Sequence, residues 1–179
     1  MESPQNGAPK GPSCLLLLVV GLLLIVAVAW GGIMIATDDP LWFLPVFEED
    51  AAFYTIYWDS EQITVEPGSP EYEMLNAAFH EDLAHVESFP SGVGLSDSMY
   101  NHLQQAGRLG EAHYNERAMV HSRYHFGASP LLLVPLSTHH AWNSRLFNRG
   151  RGAPLELQST AQIMSAVENI VVESGLGSP

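Results

Sequence analysis

The sequence predicts an α+β fold: one N-terminal transmembrane helix, then a small domain in which about three helices pack on a mostly antiparallel sheet. Three observations carry this. Residues 14–36 form a single uncharged apolar run. Beyond residue 52, short β-branched and aromatic runs are separated by Pro, Gly, Asp and Ser. Three further stretches carry apolar residues at helical spacing, each opening on a serine able to cap it.

Residues 1–13 (MESPQNGAPKGPS) are rich in Pro, Gly and Ser without periodicity, the composition of a disordered tail. The run CLLLLVVGLLLIVAVAWGGIMIA follows. At ~1.5 Å per residue it makes a helix of roughly 34 Å, enough for a hydrocarbon core of about 30 Å. It has no polar stripe, so it does not read as the amphipathic helix of a soluble core. Ala27-Val28-Ala29 has the small-x-small pattern of a signal-peptidase site, with Leu15 to Val26 as its apolar core. The apolar run continues past that site through Ile33, Met34 and Ile35, and only Lys10 precedes it, so an uncleaved anchor is expected.

No Lys or Arg follows the run until Arg108, whereas Asp38, Asp39, Glu48, Glu49 and Asp50 do. Positive residues favour the cytoplasmic side, so the tail is expected to be cytoplasmic and the domain extracytoplasmic. Residues 37–51 read as a juxtamembrane linker, with Trp42 and Phe43 against the membrane surface. Residues 52–175 are long enough for one domain and too short for two. Cys14 is the only cysteine, which leaves the domain without a disulfide or thiolate metal site.

Phe53 to Trp58 and Gln62 to Glu66 read as a β-hairpin turning at Asp59-Ser60-Glu61. A helix follows from Ser69, with Pro70 at its first position and Leu75, Ala78, Phe79, Leu83 and Val86 on its apolar face. A shorter helix runs from Ser96 to Ala106 and stops at Gly107. Residues 108–150 read as β structure. A strand is expected over Arg117 to Phe126, a buried one over Leu131 to Leu136 with Pro135 at an edge, and one more over Trp142 to Phe147. The last helix opens on a capping box, Ser159-Thr160-Ala161-Gln162, with Ile163, Val167, Ile170 and Val171 as its face.

The chain carries 20 acidic and 7 basic residues, a formal charge of −13. Such a surface repels phosphates, so nucleic acid is not an expected partner. All bases beyond Lys10 are arginines between Arg108 and Arg151, which predicts that the acidic first half pairs with the arginine-bearing second half.

Eight histidines make metal the first chemistry to consider. His80 and His85 are five apart, about 140° around a helix, so one ion does not suit both, and an exposed helix face is the expectation. His121, Arg123 and His125 alternate and would share one face of the expected strand. His121 and His125 are the candidate metal ligands, with His139 brought near by the following strand; Arg123 is the candidate anion-binding group. No nucleophile elbow or phosphate loop appears, so no catalytic or cofactor-binding residue and no cofactor is assigned. The functional expectation is therefore a single-pass protein, in contact with lipid through residues 14–36, whose outer domain binds a protein partner or a second copy. A membrane-tethered metal-dependent hydrolase and a pH- or ligand-responsive sensor are the alternatives.

Overall fold

The structure, a computed structural model, describes residues 13–37, 39–41, 43–44, 46–88, 94–122, 124, 126–136, 144–149 and 154–176. Within them the chain runs α1 (Cys14–Thr37), β1 (Phe53–Trp58), β2 (Glu61–Val65), α2 (Pro70–Leu83), β3 (Val86–Ser88), α3 (Asp97–Ala106), β4 (Arg108–Ala118), β5 (Ser129–Pro135), β6 (Arg145–Asn148), β7 (Leu155–Leu157) and α4 (Ala161–Glu173). The described strands form one seven-stranded sheet of order β2-β1-β4-β5-β6-β7-β3. Every neighbouring pair is antiparallel, so the α+β expectation holds.

Helix α1 is long and apolar enough to cross a membrane, and none of its apolar span is buried inside the protein. The domain begins to pack before its first strand. Phe47 and Ala51, in the stretch read as a linker, lie 3% exposed in the main core. The Tyr72 hydroxyl donates to the Ala51 carbonyl, Asn76 donates to Asp50 at 2.6 Å, and Ala52 N–H donates to the His113 carbonyl at 2.6 Å.

The β1–β2 turn uses two residues, Asp59 and Ser60, both at positive φ (48° and 76°). This is the pattern whose twist matches the flanking strands. Glu61, expected in the turn, pairs with Trp58 instead. Arg108 closes the corner, its guanidinium 3.3 Å from the Asp59 carboxylate and 3.9 Å from the Trp58 ring centroid. Here the acidic first half does meet an arginine of the second.

Alternation splits the sheet's side chains between two cores. Tyr54, Ile56, Ala112, Leu132, Val134 and Leu136 face the layer formed by α2 and α4. Leu109, Leu133 and Phe147 face α3, which presents Tyr100 and Leu103. Strand β5 is covered on both sides, which explains its unbroken apolar sequence. It is the fourth strand of seven, so the edge position expected for Pro135 is not found. Pro135 is instead the last residue of β5, beyond the Leu132 and Leu133 that pair with β6.

The long strand of the second half is displaced from its expected position. It covers Arg108–Ala118, with His113 opposite Leu131 and Leu109 opposite Pro135. Residues 119–122 lie outside any strand. The Ser122 hydroxyl accepts from Tyr124 N–H (3.1 Å) and donates to the Tyr124 carbonyl (2.8 Å). Such local side-chain bonds compete with a sheet ladder, and the strand ends at Ala118.

Helix α2 begins as expected, with Ser69 accepting from Tyr72 N–H and Pro70 first, but it ends at Leu83, and Val86 belongs to β3. In α3, Ser96 accepts from Met99 N–H. Gly107 follows because a Cβ there would lie 2.9 Å from the Leu103 Cα. The capping box expected for α4 forms only in part: Ser159 accepts from Ala161 N–H at 2.9 Å, Thr160 makes no side-chain cap bond, and the Asp82 carboxylate of α2 adds a tertiary cap by accepting from Ile163 N–H at 2.9 Å. Gln162 reaches Glu81 at 3.3 Å rather than turning back on its own helix.

Two buried tyrosines on the α2–α4 side differ in a testable way. Tyr54 donates to Asn76 at 2.8 Å, whereas the Tyr114 hydroxyl is buried with no hydrogen-bond partner among the described residues. Tyr54→Phe should lower stability by about 1 kcal/mol, and Tyr114→Phe should leave it unchanged or raise it. Urea midpoints of the two variants give the comparison; a larger loss for Tyr114→Phe would contradict the arrangement.

Candidate functional site

Two groups of polar side chains stand out: one beneath α3 and one along the segment that joins α1 to β1.

The first grows from strand alternation. Leu109, Glu111 and His113 point to the α3 side of β4, and Thr55 lies opposite Glu111 on β1. On α3, Tyr100 and Gln104 are four apart and therefore share a face. They converge on Glu111, which is 2% exposed. Its Oε1 accepts from the Tyr100 hydroxyl at 2.8 Å and from Gln104 Nε2 at 3.3 Å. Its Oε2 lies 3.1 Å from His113 Nε2. Gln104 also donates to the Tyr57 hydroxyl at 3.0 Å. Phe53 stacks on the His113 ring at 4.2 Å between centroids, and the Arg149 guanidinium lies 4.4 Å from the centre of the Tyr100 ring. A buried carboxylate is thus met by three donors, as burial requires.

Chemically, an acid, an imidazole and a hydroxyl suggest a proton relay. The geometry does not form one. Thr55 Oγ1 approaches at 3.4 Å the same Nε2 that meets Glu111. A relay needs carboxylate and hydroxyl on opposite ring nitrogens. The cluster therefore fastens α3 to the sheet.

Burial, followed by the bond to Glu111 and its charge, pushes the Tyr100 hydroxyl well above the ordinary 10.0; burial also raises Tyr54 and Tyr114. The unfolded chain loses these protons near pH 10 and the folded chain keeps them. Their stabilisation is complete below about pH 10 and is lost as the pH rises further. An ultraviolet titration should show these tyrosines ionising together with loss of circular dichroism. Ionisation at pH 10 with the fold intact would contradict their burial.

The second group holds the segment 39–52. His121 Nδ1 lies 3.0 Å from the Asp39 carboxylate, which is 2% exposed and also accepts from Leu41 N–H at 2.8 Å. His80 Nε2 lies 3.2 Å from the Glu49 carbonyl and 3.4 Å from Asp50, with its ring against Phe47. His80 thus fastens the segment instead of standing on an exposed helix face. His85 lies beyond the end of α2 and lines a shallow groove with Glu87 and Gln158.

Of the candidate metal ligands, His121 is outside a strand and pairs with Asp39; His125 and His139 lie outside the described residues, as does the candidate anion-binding Arg123. Among the described residues, no group of three or more His, Cys, Asp or Glu side chains is placed to share an ion. No protein-family model, curated protein or solved structure matches the chain. The sequence signal for the α3 cluster was present but weak. Glu111 and His113 stand two apart in a stretch rich in small and apolar residues, and Tyr100 and Gln104 stand four apart on a capped helix.

Proposed function

We propose that this is a single-pass membrane protein in which α1 tethers a binding domain to the bilayer. One observation carries the tether: the leucines, isoleucines and valines from Leu15 to Val28 stand exposed, by 46% or more of their surface. An apolar helix of that length with no protein against it is stable in lipid and not in water. The domain serves as a binding module for a partner protein or a second copy. This reading is supported by the way its buried acid–imidazole cluster is spent on holding α3. The tail carries Lys10 and no Lys or Arg follows α1 until Arg108, which favours a cytoplasmic tail and an extracytoplasmic domain.

Alkaline washing of membranes, followed by N-terminal sequencing, tests the tether. The full chain should stay in the pellet with its start upstream of Ala29. A soluble chain beginning at Trp30 would make the helix a cleaved signal sequence. Protease treatment of sealed vesicles tests the side: the tail, and not the domain, should be the cytoplasmic part. In-membrane cross-linking tests the module, for which a discrete adduct is expected and monomer alone counts against it.

A further inference from the structure

We infer that the segment between the two histidine contacts is a second membrane-binding element, an apolar strap whose occupant is the lipid surface beside the tether. The inference rests on the tether reading and adds where the domain sits. Four apolar side chains of this segment point outward: Leu41 (42% exposed), Phe43 (52%), Leu44 (37%) and Val46 (37%). They are not loose. On one side Asp39 is held by His121; on the other Phe47 is inserted in the core, and Asp50 and Ala51 are bonded to Asn76 and Tyr72. Between these fastenings the chain turns on itself, with Leu44 N–H donating to the Leu41 carbonyl (2.8 Å) and Val46 N–H to the Leu44 carbonyl (2.9 Å). A segment fixed at both ends and still presenting apolar groups has a surface to present them to.

Chain length identifies that surface. Leu41 follows the last residue of α1, Thr37, by four positions. At most ~3.6 Å per residue, it lies within about 14 Å of the helix end. The headgroup zone beyond each hydrocarbon face is several ångströms deep, so the strap stays within or beside it. The chemistry is apolar and not electrostatic. No Lys or Arg stands in the chain between Lys10 and Arg108, so the strap itself carries no cation to attract anionic headgroups. The acid nearest the bilayer among the described residues, Asp39, is turned inward against His121 and does not oppose the contact. The histidine pair thus has a positioning role: it hides a carboxylate where lipid must approach.

Full-length protein with Cys14→Ser and one new cysteine, Phe43→Cys or Leu44→Cys, carries an environment-sensitive fluorophore in phosphatidylcholine vesicles, with and without phosphatidylserine. Glu61→Cys, exposed on β2, serves as the aqueous control. The strap labels should be blue-shifted, several-fold less accessible to a water-soluble quencher than the control, and quenched by lipids brominated near the headgroup, equally in both lipid mixtures. Labels as accessible as the control, in protein that resists alkaline extraction, would overturn the strap and leave the tether standing. Protein lost on alkaline washing would remove the tether, and the strap with it. Shielding that persists in detergent with cross-linking between two copies at position 43 would assign the patch to a second chain and overturn the lipid reading. Shielding only with phosphatidylserine would overturn the apolar mechanism.

Discussion

Glu111→Ala should destabilise the domain by about 3 kcal/mol, a large share of the 5–15 kcal/mol typical of a folded domain. Three donors, from Tyr100, Gln104 and His113, meet this one buried carboxylate. Truncation leaves them facing a cavity too small and too covered to rehydrate each one. An orphaned buried group costs about 1–3 kcal/mol. Glu111→Gln keeps an acceptor for Tyr100 and offers a donor to the His113 ring, which accepts in its other tautomer, so its cost should be about 1 kcal/mol. Urea unfolding orders the two variants, and amide exchange locates the loss. Protection should fall first in α3, which shares only a small core with the sheet: Tyr100, Leu103, Leu109, Leu133 and Phe147. Equal costs for the two variants would mean that the carboxylate does not satisfy those donors.

The second large effect is expected at Asp82. Asp82→Ala should cost about 2 kcal/mol, although Asp82 is in one helix and the damage appears in another. The first backbone N–H groups of any helix lack intrahelical partners, and capping residues supply them at about 0.5–2 kcal/mol each. For α4, Ser159 supplies Ala161 N–H locally and Asp82 supplies Ile163 N–H across the interface. The side chain is 4% exposed, so no water replaces it cheaply. Asp82→Asn retains one acceptor and should lose less.

Burial raises the Asp82 carboxyl above its ordinary 3.8, partly countered by the backbone bonds of Ile163 and Gln162. The folded chain therefore holds this proton more tightly than the unfolded one. That contribution is complete below about pH 3.8 and is lost as the pH rises through the folded value. Stability relative to Asp82→Asn should accordingly fall as pH rises above about 4, and a difference constant with pH would contradict the raised value.

Local elements that satisfy their own needs were legible in the sequence. Ser69 with Pro70, Ser96 with Gly107, and the apolar run of β5 each carry their instruction within a few residues, and each is found. Helix α1 is the extreme case, since length and the absence of charge suffice. The failures share a cause. The strand expected over 117–126 had the right composition, yet the strand that starts earlier, at Arg108, pairs with both β1 and β5, while Ser122 turns the chain locally. Of the capping box of α4 only Ser159 acts, on Ala161 N–H, while a buried carboxylate from α2 takes Ile163 N–H. The α3 cluster needed four segments, β1, β4, α3 and the Arg149 region, to be brought together before Glu111 acquired partners.

By itself, then, the sequence determined an apolar helix able to span a bilayer and an antiparallel α+β domain behind it. Both follow from periodicity and hydrophobicity, which act residue by residue. Only the tertiary structure decided which strand is central, who caps α4, and that the stretch after α1 is fastened to the domain by His121, His80 and Phe47. Those outcomes depend on partners tens of residues apart. A buried polar group takes the nearest donor or acceptor in space, whatever its distance along the chain.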